Sequence, residues 1–295
     1  MDTPNHDDWV QAGKIAAKVL AYGKSLIKPG VKLVDVADAC DNKMVELGAR
    51  PAFPSQISCN EIAAHFCPES DDASVFDNQV VSLDVGACYN GAIGDNATTV
   101  DLGNNYTELV KASREALSNV SKMIQIGTAL GEIGKTVQET IQSHGFAPVR
   151  NLSGHGLAPY NVHDSPSIPN YDNGDLTPLT SGMKIAIEPF ASAGKGLIYE
   201  SSPPTIFSFV QKRPTRNPFA KQVLAKIDTY RGMPFTTRWI SQEFGKLKAQ
   251  LVIKELLRNG SLHAYPPLPD VAPVSQAEHT FLIEDKVIIS TKLDE

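Results

Sequence analysis

The sequence predicts an α+β fold, a mostly antiparallel sheet with helices segregated to one side, built from two similar halves. Three observations carry this. Two pairs of amphipathic helices recur at a fixed offset of 97 residues. An Asn90-Gly91 pair separates two strand-like runs, Val80–Tyr89 and Ala92–Asp101. The segment DNATTVDL, from Asp95, is echoed by EHTFLIED, from Glu278.

The elements follow in order. Residues 6–27 predict a helix with Trp9, Ile15, Val19, Leu20, Leu26 and Ile27 toward one face, stopped by Pro29-Gly30. Residues 34–47 predict a second, with Val36, Cys40, Met44 and Leu47 at helical spacing and Gly48 at its end. The pattern returns after the central runs. Thr107 is the expected cap of a helix bearing Leu109, Val110, Leu117, Val120, Met123 and Ile124. A further helix carries Leu130, Ile133, Val137 and Ile141 and ends at Gly145. Gly30, Leu33, Val36, Cys40, Met44 and Gly48 fall on Gly127, Leu130, Ile133, Val137, Ile141 and Gly145 without a gap.

Asn-Gly favours a tight hairpin because a type I′ turn needs positive φ at both central residues. That turn pairs Tyr89 with Ala92, Gly86 with Asp95 and Asp84 with Ala97. Side chains alternate along a strand, so Asp84 and Asp95 share a face as diagonal neighbours, with room beside Gly86. Two close carboxylates in an apolar sheet call for a cation. Taken alone, the hairpin also admits a solvent face that carries two acids.

Between Glu188 and Glu278 lies a long insertion with helical runs at 217–232 and 238–259. Phe219, Val223, Leu224, Ile227 and Tyr230 line one predicted face, and Leu247, Leu251, Leu256 and Leu257 the other. The stretch AYPPLPDVAP leads back to the final strands. The expected organisation is a main domain of residues 1–195 and 271–295 with an inserted helical subdomain at 196–270. The insertion is basic through Lys212, Arg213, Arg216, Lys221, Lys226 and Arg231, then Arg238, Lys246, Lys248, Lys254 and Arg258. This composition fits a solvated face, and it also fits contact with nucleic acid such as ribosomal RNA.

The chain's formal net charge of -6 gives no overall bias toward nucleic acid. The polar, acidic start MDTPNHDDW is neither a secretory signal nor a transit peptide, and no apolar run is long enough to cross a membrane. The four cysteines (Cys40, Cys59, Cys67, Cys88) lack CxxC spacing. Reduced thiols in a cytoplasmic protein are expected, with Cys59 and Cys67 beside His65 as an alternative metal pair.

Three further positions join the two aspartates. His155 sits in SerGlyHisGly, expected to be a glycine-flanked turn that a ligand can approach. Glu188 ends the apolar run KIAIE, and Glu278 precedes another in QAEHTFLI. An unpaired carboxylate is costly at either place. Four carboxylates and one imidazole suit two divalent ions such as Mn²⁺, Fe²⁺, Co²⁺ or Zn²⁺.

Across essentially its whole length the chain resembles the type 2 methionine aminopeptidases, in a short form. The resemblance rests on PAFP at 51–54, CNEIAAH at 59–65, LDVG at 83–86, the aspartate eleven residues after Asp84, NLSGH at 151–155, His163, IEPF at 187–190 and EHT at 278–280. The long insertion is the type 2 feature. Gly156, Ala158, Pro159, Ser82 and Cys88 depart from the family pattern, and all five ligand positions are retained. The metal pentad by itself is shared with prolidases and aminopeptidase P.

The resemblance implies a pita-bread fold with a winged-helix-like insertion. It implies that Asp84 holds one metal, that Asp95 and Glu278 bridge two, and that His155 and Glu188 complete the second. His65 and His163 would contact substrate and the developing intermediate, and Glu188 would move a proton. Phe53, Val162 and Phe190 would wall a methionine pocket beside His65. The implied activity is removal of the initiator methionine from nascent polypeptides when the second residue is small; the cysteines point to the cytoplasm, and the embedded subdomain without a heptad repeat favours a monomer. The alternatives are a proline-specific peptidase of the same fold and a non-catalytic protein that binds RNA or ribosomes.

Overall fold

The computed structural model describes residues 3–201 and 203–293. Met1, Asp2, Ser202, Asp294 and Glu295, which fall within the expected domain ranges, lie outside the described residues.

Helix α1 (His6–Leu26) begins at a reciprocal cap. Asn5 Oδ1 accepts from the Asp8 N–H at 3.0 Å, and the Asp8 carboxylate accepts from the Asn5 N–H at 2.9 Å. Its apolar face, including Trp9, Ile15 and Val19, is buried. Helix α2 spans Leu33–Glu46, α3 Thr107–Met123 and α4 Leu130–Ser143. Thr107 is the first helical residue of α3 and not its cap. The N-cap is Tyr106, and the Asp101 carboxylate ties down the helix start, accepting from the Tyr106 N–H at 2.7 Å and from the Thr107 hydroxyl at 3.2 Å.

The duplication extends beyond the helices. Gly30 and Gly127, before α2 and α4, have φ of 84° and 92°. Their N–H groups donate to Phe76 O and Leu179 O, each at 2.8 Å. Leu33 and Leu130 then donate to Ser74 O and Thr177 O, at 3.1 and 3.0 Å. One core lies under α1 and α2 and a second under α3 and α4. Each half thus buries the apolar stripe of its own helix pair against its own sheet.

Val80–Tyr89 and Ala92–Asp101 pair in the predicted register: Gly86 faces Asp95 and Asp84 faces Ala97. Asn90 and Gly91 have φ of 51° and 96°, as a type I′ turn requires. Gln56–Cys59 lies on the other edge of Val80–Tyr89, with Gln56 opposite Asp84. The second half is a five-stranded sheet in the order Ile288–Ile289, His279–Leu282, Lys184–Ile187, Ser153–Ala158, Asn161–Pro169. The halves meet where Asp95 and Glu278 emerge. Thr280 Oγ1 accepts from the Asp95 N–H at 2.8 Å and donates to Asp95 O at 2.9 Å, and the Glu278 N–H donates to Ala97 O at 3.0 Å.

The insertion is not purely helical. Helices α5 (Pro218–Asp228), α6 (Thr237–Phe244) and α7 (Lys246–Arg258) pack with a three-stranded antiparallel sheet of Phe235–Thr236, Ile206–Phe209 and Leu262–Tyr265. The expected helix at 238–259 is broken at Gly245, whose φ of 83° no helix continues through. The break rotates the buried stripe of α7 onto Ala249, Val252, Ile253 and Leu256. Leu247 and Leu251 are consequently exposed, as is Phe219, whose ring lies under the Lys248 ammonium at 4.7 Å.

His155 also differs from expectation, lying inside strand Ser153–Ala158 and not in a turn. Its flanking glycines admit neighbouring backbone. A Cβ on Gly154 would sit 2.3 Å from Ala186 O, and one on Gly156 would sit 2.1 Å from Ser165 O. Carbonyls in packed strands cannot give way, so Gly156→Ala should destabilise the fold by at least the ~1–3 kcal/mol typical of overpacking. A thermal melt checks this, and an unchanged midpoint would show that the strands separate freely.

Candidate metal centre

Strand alternation, the hairpin turn and the joint between the halves bring ten side chains to one cavity of about 600 Å³. All ten residues singled out from the sequence line it: Phe53, His65, Asp84, Asp95, His155, Val162, His163, Glu188, Phe190 and Glu278. Asp84 and Asp95 come from the hairpin. His155 comes from mid-strand, and Glu188 and Glu278 from the ends of paired strands.

At the floor, acceptors converge without donors to match. Ligand atoms of Asp95, His155 and Glu278 lie within 4.8 Å of one another. His155 Nε2 is 3.8 Å from Asp95 Oδ2 and 3.7 Å from Glu188 Oε1. His155 Nδ1 lies 3.1 Å from the Gly156 carbonyl, which can only accept, so Nδ1 carries the proton and Nε2 offers a lone pair to the acids. Oδ1 of Asp84, Oδ1 of Asp95 and Oε2 of Glu278 are buried with no hydrogen-bond partner among the described residues. The neutral amide of Gln276 offers one donor, reaching Glu188 Oε2 at 3.2 Å.

The electrostatics match this geometry. Burial raises the Asp84 carboxyl to about 7, partly opposed by the Gln276 amide. Asp95 is pushed well above the usual carboxylate range by burial and then by the Asp84 and Glu188 charges. Burial and the other carboxylates do the same to Glu278, and burial and Asp84 to Glu188. Burial, reinforced by His163, lowers His155 to about 3 and His65 to about 4. The imidazoles therefore stay neutral and do not balance the acids. Four inward carboxylates, one imidazole lone pair and three orphaned oxygens fit divalent cations, the group that satisfies acceptor-only clusters. The thiols are no part of this. All four cysteines are free, and burial pushes Cys40, Cys59 and Cys67 up to about 12.

Above the floor, the His163 ring meets the His155 ring edge-on at 4.7 Å. His65 takes a positive φ of 65°, and its backbone N–H donates to Gln56 Oε1 at 2.6 Å. The space beside Gly86 is filled by the Phe53 ring, whose Cε1 would lie 2.2 Å from a Cβ there. Gly86 therefore makes room for a cavity wall, not for a ligand. Several lining residues lacked a sequence signal. Ile206, Pro234 and Tyr265 come from the insertion, and the Tyr265 ring lies 5.6 Å from His65 and 6.0 Å from His163. Gln276 ends the short strand Val274–Gln276, two residues before Glu278.

Fold and site together define a metal-dependent hydrolase with a buried carboxylate–histidine centre. The chain belongs to metallopeptidase family M24, whose model matches residues 9–211. It is 43% identical over 289 residues to a methionine aminopeptidase of Archaeoglobus fulgidus, covering 97% of each chain. It is likewise 43% identical to one from Methanocaldococcus jannaschii, covering 99% of this chain and 100% of the other. Among solved structures it is similar to the methionine aminopeptidase of Thermotoga maritima. That match has a TM-score of 0.72 and 26% identity, and it covers 99% of this chain and 100% of that one. These matches bear out the pita-bread architecture expected from the sequence.

A cluster strained in this way should cost stability until a cation arrives. Glu278→Gln removes one buried carboxylate without changing shape. The metal-free variant should melt at or above the wild-type temperature and should lose the rise in Tm that divalent cations give the wild type. Saturation at a hundredfold excess over Kd is worth roughly 2.7 kcal/mol. A metal-free variant that melts well below the wild type would mean that Glu278 is satisfied without metal.

Proposed function

We propose that this chain is an aminopeptidase that removes the N-terminal methionine of new polypeptides, with Asp84, Asp95, His155, Glu188 and Glu278 holding two divalent ions. The convergence of those acceptor atoms, with only the Gln276 amide among them as a side-chain donor, at the floor of a cavity with apolar walls carries the reading. When bound, such ions polarise the scissile carbonyl and ease the loss of a proton from water. The protein's own groups divide the rest of the work. Asp84, Asp95 and Glu278 concentrate negative charge where a peptide's terminal amine arrives. Glu188, with Oε2 held by Gln276 and Oε1 free, accepts a proton from the attacking water and passes it to the leaving amine. His163 and His65 face the same cavity and, as donors, stabilise the developing oxyanion. Phe53, Val162 and Phe190, all nearly fully buried, form an apolar recess that suits the unbranched methionine side chain and excludes water.

The same reading makes Mn²⁺, Fe²⁺, Co²⁺ or Zn²⁺ the metal, prefers a small second residue, and places a monomer in the cytoplasm. It treats residues 1–195 with 271–295 as the catalytic unit and 196–270 as an inserted subdomain. A hydrophobic cluster confined to the insertion, around Val223, Ile240 and Leu256, supports that division. The exposed basic side chains of the insertion, such as Lys212, Lys221 and Lys254, are a candidate contact with the ribosome. The proline-specific alternative is disfavoured by the names and high identity of the archaeal relatives.

Metal-stripped protein reloaded with each ion should release methionine from Met-Ala-Ser and leave X-Pro peptides intact. Glu278→Ala should lower kcat/KM by at least ~10³-fold, of the order lost when a principal electrostatic group is removed. Cleavage of Met-Ala-Ser by that variant at near wild-type rate would exclude the proposed role of Glu278. Release from X-Pro peptides alone would favour the proline-specific alternative.

A further inference from the structure

The insertion carries one charged side chain with no exposed surface, Arg238, at the start of α6. Its guanidinium crosses to the catalytic half and pairs with α2, reaching Asp38 Oδ1 at 2.8 Å and Asp41 Oδ2 at 2.7 Å. Asp41 is itself buried and accepts from every side. Besides Arg238 it takes the Trp239 Nε1–H at 2.9 Å, the Ser55 hydroxyl at 2.7 Å and the Ser55 backbone N–H at 3.1 Å. Burial raises the Asp41 carboxyl above its ordinary value, and these four donors oppose that by favouring the carboxylate. Beside this tie lies a cavity of about 540 Å³, lined by Asp38 and Asp41 of α2 and by Tyr230 and Trp239 of the insertion.

Ser55 leads directly into the metal centre. Two residues before it, Phe53 walls the cavity. The next residue, Gln56, lies opposite Asp84 in the sheet, and its Oε1 holds the backbone N–H of His65 at 2.6 Å. His65 needs that hold, because a non-glycine residue at a φ of 65° persists only where its surroundings determine it. Hydrogen bonds from Arg238 to Asp41, from Ser55 to Asp41 and from His65 to Gln56, linked by the Ser55–Gln56 peptide bond, thus join the insertion to a histidine of the cavity.

We propose that Arg238 and Asp41 are positioning residues through which the insertion sets the placement of His65 and the Phe53 wall. Replacing a buried ion pair by apolar residues is often neutral or stabilising, so stability alone gives little reason for this one. A positioning role accounts for its place, one residue from the segment that carries both Phe53 and the Gln56–His65 bond. The proposal rests on the aminopeptidase reading only for its kinetic readout.

The test uses full-length, metal-loaded protein with isotopically labelled histidine. Asp41→Asn and Gln56→Leu should each move the His65 imidazole signals, and each should lower kcat/KM for Met-Ala-Ser by roughly tenfold. The double variant should lose much less than the product of the two, as expected for residues in one network. If Asp41→Asn does not fold, Ser55→Ala, which deletes only a hydroxyl, is held to the same criteria. A variant that melts lower yet keeps its His65 signals and its kcat/KM per folded molecule would overturn the proposal. If the wild type releases no methionine, the aminopeptidase reading falls, and the His65 signals alone decide the positioning role.

Discussion

Four carboxylates crowded together in a largely desolvated site, with the Gln276 amide as their one side-chain donor among the described residues, are the constraint on which the rest depends. Each has lost its water, and each raises the cost of ionising the next. Such a cluster spreads apart unless rigid structure holds it or a cation neutralises it. The fold supplies the rigidity. Asp84 and Asp95 are fixed by a ten-residue ladder on either side of a two-residue turn. Asp95 and Glu278 are locked to each other's strands through Thr280. The glycines beside His155 let its strand approach both neighbours closely enough to bring the imidazole to the acids.

The duplication explains how a single chain builds such a centre. Each half offers two acids from paired strands, mid-strand in the first half and at strand ends in the second, buttressed by a helix pair on the outer side. Meeting edge to edge, the halves place their acids at the shared boundary while their helices stay remote from it. The symmetry is broken where the chain needs a mouth. The first half closes its strands with Asn90-Gly91, whereas the second opens the same connection and inserts a unit with its own core. That unit returns Ile206, Pro234 and Tyr265 to the cavity rim. It also reaches back to α2 through Arg238.

Much of this was legible because it is local or periodic. The hairpin register follows from one dipeptide, the helices from apolar spacing, and the repeat from glycines 97 residues apart. Asp84 and Asp95 stood out from the hairpin register, His155 from its flanking glycines and Glu188 and Glu278 as acids at the ends of apolar runs, and the family resemblance linked them. What was not legible depends on packing across the chain. A single left-handed glycine, Gly245, splits the expected helix and turns Leu247 and Leu251 outward. SerGlyHisGly looked like a turn because its glycines make close strand contacts that only neighbouring backbone reveals. Tyr265 and the Arg238–Asp41 tie join segments far apart in sequence, and no spacing rule reports such pairs.

The account's central claim is that the buried acids are a divalent-cation site that is partly protonated until metal binds. Calorimetric titration of the metal-free protein with Mn²⁺, in buffers of different ionisation enthalpy, measures stoichiometry and proton release together. The account predicts two ions per chain and net release of protons at neutral pH, as the raised carboxyls give theirs up. Metal binding without proton release, or no saturable binding by a folded protein, would contradict it.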